Sequence, residues 1–62
     1  MTNVEFNIDL FAKVLVVYFK QFGGNEDDFR YCVNVVKDKL DFMGLHDKEI
    51  EKAVRIAKEM LN

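Results

Sequence analysis

The sequence predicts an all-α fold, a small three-helix bundle with helices at about 8–22, 26–43 and 47–61. Three observations point to it. Apolar residues recur at helical spacing in three successive segments, glycines separate the segments at Gly23-Gly24 and at Gly44, and the absence of proline and serine leaves no low-complexity linker. A chain of 62 residues is then one domain, 1–62, of the size class that buries only ~60% of the surface its unfolded form exposes.

The first element carries two periodicities. Val4-Glu5-Phe6-Asn7-Ile8-Asp9-Leu10 alternates apolar and polar like a half-buried strand, whereas Phe11, Leu15, Tyr18 and Phe22 are spaced four, three and four like one helix face. A strand would have no partner, because neither later segment reads as one, and its backbone groups would go unpaired. The expectation is a helix from Ile8 to Phe22 with Asn7 as its cap and Asp9 in its first turn, and residues 1–6 extended or frayed.

The second element begins after Asn25. Its side chain can accept from the free N–H groups of the first turn, where the carboxylates of Glu26, Asp27 and Asp28 also meet the positive end of the helix. Gly44 is placed to adopt the left-handed conformation that stops this helix after Met43. The third element follows at once, with His46 at the cap, Glu49 at the third helical position and Leu45 positioned to staple onto Ile50.

Each helix offers a core face. These are Phe11, Leu15, Tyr18, Phe19 and Phe22 on the first, Phe29, Val33, Val36, Leu40 and Met43 on the second, and Ile50, Ala53, Val54, Ala57 and Leu61 on the third. Small residues on the third helix match the bulky first, which favours close packing at left-handed crossing angles of roughly 20°.

The second helix also carries a further stripe. Tyr31, Val35 and Phe42 lie roughly 200° from the core face at about 100° per residue. Two accounts compete: helix two buries both stripes between its neighbours, or the second stripe meets another molecule. Leu10 and Val17 on helix one, and Ile56 on helix three, also fall outside the core faces.

Composition narrows the functions available. Half the residues are hydrophobic, too many for a disordered tail, and the lone Cys32 excludes an internal disulfide. One cysteine and one histidine cannot supply the usual set of four zinc ligands, so neither metal nor cofactor is expected. Net charge is −2, with two lysines against five carboxylates up to residue 28 and seven basic residues against six acidic ones after it. Neither half looks like a polyanion binder. Glu5 and Asp9 replace the basic start of a secretory signal, and the apolar run Val14 to Phe19 is far shorter than the ~20 residues of a membrane span. With a free thiol this favours the cytoplasm and no membrane association.

No nucleophile–base pair, calcium loop or phosphate-binding glycine loop is present, so the chain is not expected to be an enzyme. Cys32 reads as a buried inert thiol and His46 as a helix cap. The expectation is a non-catalytic protein–protein interaction module, a small regulator, inhibitor or adaptor. Tyr31, Val35 and Phe42 would bind the partner, with Leu10 and Val17 as extensions, and the partner would be another protein or a second copy, the homodimer being slightly favoured. The alternative is a dimeric DNA-binding transcriptional regulator using Lys48, Lys52 and Arg55, although Glu51 and Glu59, each four residues from Arg55, nearly neutralise that face. A structural homo-oligomer is the third reading.

Overall fold

In the computed structural model of the chain, which describes residues 3–22 and 24–62, the architecture is the three-helix bundle that the periodicities predict. Helix α1 spans Val4–Phe22, α2 spans Glu26–Lys39 and α3 spans Asp47–Leu61, with a single 3₁₀ turn at Asp41–Met43 between the last two. Helix α1 is the central element. It packs most extensively against α3 and less so against α2, whereas α2 and α3 meet sparingly.

The start of α1 corrects the sequence reading. Val4 to Asn7 are already helical, Asn7 is not the cap, and its N–H instead donates to the Asn3 carbonyl at 2.9 Å. Val4, Phe6 and the rest of the alternating stretch also fit a helix, since Val4, Ile8, Phe11 and Leu15 continue one 3.6-residue face. Ile8 is buried on it. Burial of that face decides between two patterns that the local sequence satisfies equally. Residues 1 and 2 of the stretch expected to be extended or frayed lie outside the described residues, as does Gly23.

Helix α2 also ends earlier than expected, at Lys39 rather than Met43. Leu40 leaves helical geometry at φ −105°, ψ 23°, and the chain tightens into the 3₁₀ turn before Gly44 stops it at φ 69°. That left-handed glycine is where the sequence places it, and its N–H closes the turn on the Asp41 carbonyl at 3.1 Å. The start of α2 carries the full reciprocal cap: the Asp28 N–H donates to Asn25 Oδ1 at 3.1 Å, and the Asn25 N–H donates to Asp28 Oδ2 at 3.4 Å. A Cβ on Gly24 would overlap that Asp28 carboxylate, so the residue before the cap must be small. At the start of α3, Glu49 Oε1 accepts from the His46 N–H at 2.6 Å, while the Glu49 N–H donates to the His46 carbonyl at 3.0 Å. The cap is thus held by glutamate and backbone rather than by the imidazole.

The core consists of Ile8, Phe11, Ala12 and Leu15 from α1, Phe29, Cys32 and Val36 from α2, and Ile50, Ala53 and Ala57 from α3. Ala12, Ala53 and Ala57 are wholly buried, which accounts for the dominance of the α1–α3 contact: small side chains let these two backbones approach. Where α2 and α3 separate, longer residues fill the gap. The Lys58 ammonium lies 5.6 Å from the Phe29 ring centroid, and Lys37 Nζ reaches Asp47 Oδ1 at 3.4 Å.

Candidate interaction face

One of the expected core residues does not stay inside. Phe22 is 51% exposed, and it stacks on Tyr18 at 5.1 Å between centroids and meets Tyr31 edge-on at 5.9 Å. Tyr18 is half-buried and Tyr31 is 58% exposed, so three aromatic rings from α1 and α2 form one cluster at the surface. Tyr31 is therefore not wedged between α1 and α3 but packs along the outer seam of α1 and α2.

Helical geometry extends the cluster along both helices. On α1 the outward positions are Phe6, Leu10, Val14 and Val17, spaced four, four and three, and Val14, Val17 and Tyr18 line one shallow hollow together with Lys13 and Gln21. On α2 the same side carries Tyr31 and, one turn later, Val35. Phe6 and Val17 are exposed, while Leu10, Val14 and Val35 are half-buried. Of the five residues assigned to partner binding, Tyr31, Val35, Leu10 and Val17 therefore share one face.

Phe42 is not brought into the cluster. Among the described residues it is the most exposed large apolar one, at 80%, but it lies in the 3₁₀ turn at the far end of α2 from Tyr31. The break after Lys39 removes it from the helical phase that placed it in line with Tyr31 and Val35. That end of the bundle is where Asn7 Nδ2 donates to the Met43 carbonyl at 3.5 Å.

Tyr18, Phe22, Val14 and Phe6 are the members of this face that sequence reasoning assigned elsewhere or passed over. Tyr18 and Phe22 fit the core spacing because they sit at its edge, where a helix turns from its buried seam to solvent. The available signal was that Tyr18 follows the outward Val14 by one turn and Phe22 follows Tyr18 by the next.

The remaining candidates are dispersed. Lys48, Lys52 and Arg55 are all exposed on α3, but Lys52 shares its groove with Glu5 and Asp9 as well as Ile8 and Ile56, so carboxylates of α1 sit beside the basic residue at its centre. Cys32 is wholly buried, and burial, with a smaller contribution from the Asp28 charge, pushes its pKa above the ordinary 9.0. Among the described residues no three His, Cys, Asp or Glu side chains come together as a metal site, and no helix is long and apolar enough to cross a membrane. No protein-family model matches the chain, and neither a curated protein nor a solved structure matches it.

Proposed function

We propose that this chain is a non-catalytic protein-interaction module of the cytoplasm, a small regulator or adaptor that binds through the outer face of α1 and α2. The observation that carries the reading is the aromatic cluster of Tyr18, Phe22 and Tyr31, continuous with Val14 and Val17. Aromatic rings grouped at a surface leave apolar area in water that packing within the chain does not cover, and such patches supply large contact area at small entropic cost. Polar groups capable of chemistry do not converge there. The buried, reduced Cys32 is compatible with a reducing compartment.

The test compares wild type with Tyr31→Lys and Val17→Lys. Both positions are exposed, so helicity should hold, with stability within ~0.5 kcal/mol for Val17→Lys and within ~1.5 kcal/mol for Tyr31→Lys, which also loses its ring contact with Phe22, while association with protein partners is lost. Circular dichroism establishes the first and analytical ultracentrifugation, with pull-down in the presence of nuclease, the second. Folded variants that keep every association of the wild type would refute the face as the binding site. Salt-sensitive duplex DNA binding tighter than the non-specific ~10⁻⁴–10⁻⁶ M, abolished by Lys52→Glu, would favour the regulator reading instead.

A further inference from the structure

The apolar face has two differently charged edges. On α1, Lys13 and Lys20 lie on the side of the outward stripe away from α2, and on α2, Asp27 and Asp38 lie on the side of Tyr31 and Val35 away from α1. All four are exposed. Lys13 Nζ is 3.9 Å from Asp9 Oδ2, but both side chains are more than half exposed, so this pair is weak and free to rearrange. Of the basic residues of α2, Arg30 is turned towards α3, where it shares a groove with Val33 and Glu51, Lys37 reaches Asp47 of α3, and Lys39, about 100° round the helix from Asp38, lies on the α1 side of Val35.

The axial positions of these charges follow from the contacts between the helices. Phe19 meets Phe29, Phe22 meets Tyr31 and Asn7 meets Met43, so α1 and α2 run antiparallel in a defined register. Interpolating along that register puts Lys13 level with Asp38, and Lys20 within a turn of the level of Asp27. Lys13 therefore has its opposite charge at the same height on the other edge, and Lys20 has one about a turn away.

From this placement we infer that the occupant of the face is a second copy of the chain, docked about a twofold axis that runs parallel to α1 and α2. Such an axis preserves height and exchanges edges, so the lysine edge of each copy meets the aspartate edge of the other, and Lys13 and Asp38 pair twice by symmetry. The same operation lays the Tyr18, Phe22 and Tyr31 cluster against its own counterpart. A twofold across the helices would instead set lysines against lysines. A chain of this size also gains most from covering exposed apolar area.

This inference rests on the α1–α2 face being the binding site, and reversal of the charges tests it separately from that reading. Wild type should sediment as a dimer at tens to hundreds of micromolar. Lys13→Glu sets a carboxylate against Asp38 twice, and Asp38→Lys sets an ammonium against Lys13 twice, so each variant alone should dimerise about tenfold more weakly. Mixed in equal amounts, the two variants form a heterodimer in which one symmetry-related pair is again of opposite charge in reversed order and the other is native, and the mixture should recover the wild-type affinity. Circular dichroism checks that each variant folds, and Lys20→Glu with Asp27→Lys provides a second such pair. A wild type that stays monomeric at several hundred micromolar overturns the second copy, and the Tyr31→Lys comparison then still judges the face with other partners. A dimer indifferent to the reversals, or one that mixing does not restore, overturns the twofold arrangement.

Discussion

At the scale of single residues, Cys32 shows how position on a helix governs chemistry. Its thiol sits wholly inside, between the core residues Phe29 and Val36 of α2, and burial disfavours the thiolate. The folded chain therefore holds the proton to higher pH than the unfolded chain does. Stability associated with this group is present below the unfolded pKa and declines as pH rises past about 9. Cys32→Ala should cost about 1 kcal/mol near neutral pH, the loss of one buried sulfur, and should flatten the alkaline fall in stability relative to wild type. Urea midpoints for both proteins from pH 7 to 10 measure the two effects. In native protein the thiol should react with a disulfide reagent only as fast as the chain unfolds.

At the scale of elements, the first turn of α1 separates residues that look alike in sequence. Ile8 and Phe6 are both apolar members of the alternating stretch, yet Ile8 is 5% exposed and Phe6 67%. They differ by 200° around the helix axis at about 100° per residue, so one faces α3 and the other faces away. Ile8→Ala should cost roughly 2–4 kcal/mol, whereas Phe6→Ala should shift stability by no more than ~0.5 kcal/mol. Were the stretch extended instead, the two substitutions would cost similar amounts. Chemical denaturation of the two variants distinguishes the cases.

At the scale of the molecule, α1 is the hub to which the others attach, and Leu15 lies wholly buried near its middle. Stabilities of ~0.05–0.15 kcal/mol per residue leave a chain this short only a few kcal/mol in total. Leu15→Ala, at ~2–5 kcal/mol, should therefore leave much of the population unfolded at 25 °C, in a single cooperative loss of helical signal. That result would contrast with Tyr31→Lys, a more drastic chemical change at an exposed position whose one aromatic contact in the bundle is with the exposed Phe22. The same economy explains the weight of the outer face: apolar residues placed there add little to the folding of one chain.

The sequence by itself determined the three helices, because amphipathic spacing, the Asn25 cap and the left-handed Gly44 are local properties that act residue by residue. It also determined most of the core, including the small residues of α3 that admit α1. What it left open was local ambiguity with a tertiary answer. The segment Val4–Leu10 satisfies two periods, and only burial of Ile8 against the bundle selects the helix. Phe22 satisfies the core spacing, and only the antiparallel placement of α2 turns it out to meet Tyr31. Phe42 aligns with Tyr31 and Val35 on an ideal helix, and only the break after Lys39 separates it. In each case the one-dimensional pattern fixes an angle about a helix axis, whereas membership of a face depends on where the neighbouring axes lie, which is set by side chains distant in the chain.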